Sequence, residues 1–132
     1  MSAGPNYVLD KGFVANEAIT QFYLVKLVAG TEAAVDMNDT ANEQTIGVAQ
    51  EAATTAEAAS GKVIDVRMLG VSTCVAAEAI AIGALVNANG AGKVKDLAAA
   101  DKQKVLGIAL TTAAADGDQI DVFMTHGEVD NS

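Results

Sequence analysis

The sequence predicts an all-β domain, a compact β-barrel built from an internal duplication. Short apolar runs alternate with turn-forming residues, and no helical period is sustained, which is typical of a barrel or sandwich of short strands. Two blocks of sequence occur twice: residues 46–49 (IGVA) return as 106–109 (LGIA), and residues 61–68 return as 117–124. Because the match extends through both halves, we expect two repeats of one unit, and the duplication favours a barrel over a sandwich.

The spacing between matching blocks separates framework from loops. The block at 17–19 (EAI) returns 61 residues later, at 78–80, whereas Ile64 returns as Ile120 after only 56 residues. Length changes therefore fall between blocks, and the largest falls in residues 50–60. That segment is rich in alanine, a helix former. It predicts a helix of one or two turns at most, because isolated helices shorter than about 12–15 residues are marginal in water.

Three segments divide the chain. We expect an N-terminal arm over residues 1–12, a single duplicated domain over 13–127 with repeats at about 13–71 and 74–127, and a polar tail over 128–132. The arm holds the only proline and has no counterpart before the second repeat. Its candidate binding residues are Pro5, Tyr7, Val8 and Leu9. Chain ends are often frayed, but three consecutive apolar residues favour an extended segment that docks on a partner.

Strands are expected in corresponding places of the two repeats. Residues 13–19 and 74–80 each precede a Leu-Val pair, residues 22–28 are apolar on both faces, as in a strand buried on both sides, and residues 87–92 form a turn.

Six residues alternate with polar neighbours and are expected to be buried together in one barrel to which each half contributes equivalent strands. They are Ile64, Val66, Met68, Ile120, Val122 and Met124. Asp65 and Asp121 point the other way, which indicates a solvated face or a structural hydrogen bond. Gly47 and Gly107 interrupt apolar strands, where glycine usually marks a bulge or a close approach of backbones.

Composition excludes several classes of function. The 132 residues fit one domain, with 51% hydrophobic and 19% charged residues, yet no apolar run reaches the ~20 residues of a membrane helix. No secretory signal is expected at the start. A net charge of −9 argues against a nucleic-acid-binding function, because a phosphate backbone requires a basic patch. The low share of aromatic residues, 4%, weakens the interpretation as a lectin. The composition is also more apolar than one small barrel requires, so we expect a homo-oligomer.

Candidate catalytic and metal-binding residues are isolated. His126 is the only histidine and Cys74 the only cysteine, so neither a histidine-rich metal site nor a Cys-His pair is supported. We expect Cys74 to be a small buried hydrophobe and His126 to lie on the surface at a strand end. Residues 36–43 resemble a calcium loop, but Ala41 and Gly47 stand where its glycine and bidentate glutamate belong. We therefore expect these residues to form a solvated acidic loop. The sequence therefore predicts no enzyme, cofactor or metal.

Residues 75–86 (VAAEAIAIGALV), 106–109, the alanine-rich linker and 117–122 (GDQIDV) carry a resemblance to a known family. With these motifs, the chain resembles the small capsid decoration, or cement, proteins of tailed bacteriophages. The resemblance implies a β-barrel or β-clip-like fold, assembly as a homotrimer, and a place on the outer capsid surface of the virion where subunits of the major capsid protein meet. It brings no catalytic residues. Two alternatives remain open: a receptor- or glycan-binding module of a phage tail or cell-surface appendage, and a degenerate β-clip enzyme.

Overall fold

A computed structural model describes residues 7–97 and 103–129. Within these ranges the chain forms nine strands and one short helix, so the prediction of an all-β fold is confirmed. The strands are β1 (Tyr7–Ala15), β2 (Leu24–Leu27), β3 (Ala34–Met37), β4 (Gly47–Ala49), β5 (Val63–Val75), β6 (Leu85–Ala88), β7 (Val94–Asp96), β8 (Gln103–Ala109) and β9 (Gln119–Val129), and the helix α1 spans Thr55–Ala59. The described helix is too short to cross a membrane.

The first repeat closes into a five-stranded barrel. Its strands follow the order β1, β3, β2, β4, β5, and β5 pairs with β1 to close the ring. All of these pairings are antiparallel except that between β1 and β3, where Val14 lies opposite Ala34 and Ala15 opposite Val35. Closure leaves none of these five strands at a free edge.

The second repeat copies these pairings and uses the end of β5 as its first strand. Residues 70–75 of β5 pair with β9, which pairs with β8, then β6, then β7. A parallel bridge between Ala76 and Val94 completes the ring, with the amide of Ala77 donating to the Val94 carbonyl at 2.8 Å. The expectation of one barrel shared by both halves is therefore wrong in this detail: β5, at 13 residues and roughly 40 Å, is long enough to border two rings.

Two apolar clusters fill the two rings. The first contains Phe13, Ala15, Ile19, Val25, Val35, Ala49, Ala53, Ile64 and Val66, and each of these has its counterpart in the second cluster. The six predicted core residues are consequently divided. Ile64 and Val66 lie in the first cluster with Met68 packed half-buried against it, whereas the residues from β9 are fully buried in the second.

The repeated glycines of β4 and β8 lie where two backbones come close together. A Cβ atom on Gly47 would lie 2.1 Å from the carbonyl oxygen of Arg67, and one on Gly107 would lie 2.0 Å from that of Phe123. Both distances are far inside van der Waals contact. The predicted close approach is confirmed at equivalent places in the two rings.

The longer loop of the first repeat contains the predicted short helix. The Thr54 hydroxyl accepts a hydrogen bond from the Glu57 amide at 3.1 Å, and the Glu57 carboxylate accepts one from the Thr54 amide at 2.9 Å. This reciprocal capping box satisfies donors at the helix start, which explains how a helix of 5 residues persists there.

Candidate functional site

The predicted arm residues fall partly within the first ring. Pro5 lies outside the described residues, and the structure describes only the backbones of Tyr7 and Val8, which belong to β1. Leu9 is opposite Leu69 of β5, and both side chains are exposed. Residues 7–12 thus pair along the domain's own sheet.

An ion pair fixes β1 to β5 immediately after Leu9. Nε of Arg67 donates to Oδ1 of Asp10 at 2.8 Å, and Nη2 donates to Oδ2 at 3.1 Å. Nη1 of the same guanidinium donates to the Val71 carbonyl at 3.0 Å. A two-pronged contact of this kind is specific in geometry, so the register of β1 is held by side chains as well as by backbone.

The candidate catalytic residues have structural surroundings. Cys74 is buried, as predicted, and burial, assisted by the charge of Asp121, raises the pKa of its thiol and keeps it protonated. His126 is half-buried rather than on the surface, and its Nε2 lies 2.7 Å from the carbonyl oxygen of Met68. In residues 7–97 and 103–129, no group of three or more histidine, cysteine and acidic residues could hold a metal ion.

The loop that resembled a calcium site binds its own backbone. Oε1 of Glu43 accepts hydrogen bonds from the Asn38 side chain and from the amides of Asp39 and Thr40 at 2.6–3.2 Å. Nζ of Lys26 contacts both Asp39 and Glu43. These carboxylate oxygens are therefore engaged by cationic and amide donors, and they do not converge on an empty centre. Asn38 is buried, which the expectation of a solvated loop missed.

Asn38 instead connects the two repeats. Its Oδ1 accepts hydrogen bonds from the amides of Gly90 and Gly92, at 3.0 and 3.1 Å, in the turn between β6 and β7. The amide of Leu24 donates to the Gly92 carbonyl at 2.8 Å, and that of Asn42 donates to the Ala88 carbonyl at 3.0 Å. We call this turn, residues 88–92, the inter-repeat turn. The glycines that predicted it were visible in the sequence, but its partner loop was not.

A polar cleft of about 440 Å³ opens beside this junction. Its lining residues are Glu43, Gln44, Thr45, Asn87, Lys104, Val105, Leu106, His126 and Gly127. None of them is phenylalanine, tyrosine or tryptophan, so the cleft lacks the large aromatic rings on which sugars commonly stack. The ring of its histidine lies 2.7 Å from the Met68 carbonyl oxygen, and its Glu43 carboxylate accepts hydrogen bonds from the neighbouring loop. Two titratable side chains of the cleft, those of His126 and Glu43, are thus held by structural contacts.

The outer face of the second ring carries a continuous line of apolar side chains. Leu85 lies opposite Ile108, Ile108 opposite Phe123, and Phe123 opposite Val71, so the four span β6, β8, β9 and β5 in register. Leu85 is 37% exposed and Phe123 is 43% exposed. We call these four residues the apolar row. Ile108 and Val71 are half-buried. Neighbouring apolar side chains that reach the surface together are a feature of binding sites, and period-two alternation alone did not single them out.

Comparison with known proteins identifies a family and a similar fold. A family model described as phage cement protein matches residues 9–124, which include both repeats. The solved structure titled "The crystal structure of head fiber gp8.5 N base in bacteriophage phi29" is similar in fold, with a TM-score of 0.69 and 16% sequence identity over 89% of this chain and 93% of that chain. No curated protein matches the sequence. Because the family model spans most of the chain, this protein belongs to the phage cement protein family, a family of structural phage proteins.

Proposed function

We propose that this protein decorates the outer surface of a bacteriophage head as a homotrimer and stabilises the shell by bridging neighbouring subunits of the major capsid protein. The observation that carries the proposal is the family match over residues 9–124. The similar solved structure, the N base of head fiber gp8.5 in bacteriophage phi29, supports it. The family match and the similar structure both support a protein that functions by binding to the phage head.

The described surface supports attachment by contact rather than by chemistry. It has exposed apolar side chains on several strands, and its described residues contain no metal cluster. The chain carries a net charge of −9, which disfavours the phosphate backbone of packaged nucleic acid as the ligand. A protein surface is the partner that these features fit best.

The N-terminal arm, with Pro5, Tyr7, Val8 and Leu9, is proposed to contact the shell. One short segment would bind weakly, at roughly millimolar affinity or about −4 kcal/mol. Three segments on one trimer can raise the avidity by about 10²–10⁴ if all of them engage together. Binding that favours the assembled shell over its dissociated subunits then stabilises the shell by mass action.

The test adds purified protein to undecorated, expanded shells and measures co-sedimentation and the temperature of shell disruption. We expect the protein to sediment with the shells and to raise that temperature. A protein that does neither would refute the cement function.

The contribution of the arm needs variants that leave β1 intact. Removing residues 1–12 would also remove Asp10, the partner of Arg67, and would open the first ring. Deleting residues 1–6 and, separately, replacing Leu9→Ser avoid this defect. Val63→Ser is the matched control, because Val63 is an exposed apolar residue that lies outside the arm, on β5. If neither arm variant weakens sedimentation relative to the control, the arm proposal fails and the cement function stands.

A further inference from the structure

The apolar row has a counterpart in the first repeat, and that counterpart is covered. There, Leu24 lies opposite Val48, Val48 opposite Arg67, and Arg67 opposite Asp10. Leu24 and Val48 are 0% exposed and belong to the apolar cluster of the second ring. The second repeat therefore buries this part of the first repeat's outer face.

The inter-repeat turn makes much of this contact. Its carbonyl at Gly92 accepts the amide of Leu24, and its glycine amides donate to Asn38 beside it. The ring of Tyr23 lies so close to Gly92 that a Cβ there would be 2.3 Å from it. The turn of one repeat thus fits against the outer face of the other, with both apolar packing and satisfied backbone groups.

On the second repeat the same face is partly open to solvent within the described chain, since Ile108 and Val71 are half-buried and Leu85 and Phe123 are exposed. Leu85 occupies the place of buried Leu24 and is exposed. The two charged positions of the first row are also changed, because Phe123 stands in place of Arg67 and Val71 in place of Asp10. At these outward-facing positions the second repeat has apolar residues where the first has an ion pair. Apolar residues at such positions are typical of a surface that binds another protein.

We propose that a second copy of this chain covers the apolar row with the end of its β2 and the turn that follows, residues 27–33. This segment is the first repeat's equivalent of the inter-repeat turn. Leu27 corresponds to Ala88, and its side chain is 56% exposed. The contact is head-to-tail, since it joins two different surfaces, and such contacts form rings when their rotation closes. Three copies would place six similar repeats around one axis.

The inference rests on the self-association in the proposed function but not on capsid binding, so its test contains no shells. Val71→Asp combined with Phe123→Arg transfers the ion pair of the first repeat onto the second. The fold already accommodates that pair at the equivalent place. Light scattering should give the wild type a multiple of 13.3 kDa and the double variant the monomer mass, with unchanged circular dichroism. Val63→Gln, whose counterpart is Gln119, is the control and should keep the wild-type mass.

Leu27→Asp tests the other surface and the direction of the contact. Alone it should also be monomeric. Each variant retains one intact surface, so an equimolar mixture of Leu27→Asp with the double variant should form a one-to-one dimer of twice the monomer mass. A monomeric wild type, a double variant that keeps the wild-type mass, or a mixture that stays monomeric would overturn the inference. If the wild type assembles as expected but does not sediment with shells, the capsid function fails and this interface stands.

Discussion

Replacing Asn38 with alanine should separate the two repeats energetically. Asn38 is 2% exposed and makes four hydrogen bonds, two from the inter-repeat turn to its Oδ1 and two from its Nδ2 to Thr40 and Glu43. After the substitution, the Thr40 carbonyl and the Glu43 carboxylate can accept hydrogen bonds from water instead. The amides of Gly90 and Gly92 would be left without an acceptor. A buried unsatisfied donor costs about 1–3 kcal/mol. The expected loss for the two amides is therefore about 2–6 kcal/mol.

Urea unfolding at equal protein concentration measures this loss. With an m-value of about 1–3 kcal/mol/M, the midpoint should fall by roughly 1–3 M while the slope is retained. Asn16→Ala is the matched control: its side chain is exposed and donates a single bond to Asp36, so its effect should stay within about 0.5 kcal/mol. If Asn38→Ala costs less than about 1 kcal/mol, the junction does not depend on this side chain and the reasoning is refuted.

Three further outcomes are expected. Gly107→Ala or Gly47→Ala should cost at least about 3 kcal/mol or prevent folding, because the new methyl group would overlap a carbonyl of the next strand; a stable variant in urea unfolding would contradict that geometry. Ile120→Ala should cost about 2–5 kcal/mol and Met68→Ala less, because Met68 is only half-buried; losses below about 0.5 kcal/mol at both would contradict the strand register. Cys74 should react with a thiol reagent far more slowly in the native protein than in urea, because burial removes the thiolate; equal rates would show that the second ring opens readily.

Features fixed by local pattern could be predicted from the sequence. The duplication, the tight backbone approach at Gly47 and Gly107, the short helix and the buried Cys74 all follow from residue type and spacing. The strand bounds do so only in part: the strands predicted over residues 13–19 and 74–80 end at Ala15 and Val75. The strand predicted over residues 22–28 spans only Leu24–Leu27 and is not buried on both sides, since Leu27 is 56% exposed. The division into two rings could not be predicted, because period-two alternation shows which side of a strand faces inward but not which strand lies beside it. Ile64 and Ile120 carry the same signal whether they share a core or fill separate ones.

The junction between the repeats was equally hidden. Asn38 stands in a run of polar residues that reads as a solvated loop, and its partners Gly90 and Gly92 lie 52 and 54 positions away. Its burial is a tertiary property. The apolar row is similar, since its four members come from four strands and are neighbours only once the register is known. A comparison of the two repeats position by position, with Arg67 against Phe123, was the sequence signal available for it.

The shared strand β5 has a mechanical consequence. It runs without interruption from one ring into the other, and Gly70 is paired with both Tyr7 of β1 and Met124 of β9. No linker exists at this point that could act as a hinge, so a load applied to one ring reaches the other through backbone hydrogen bonds in shear. Neither ring can lose its part of β5 without disturbing the other. Under load, the two rings should therefore deform and unfold together rather than one after the other.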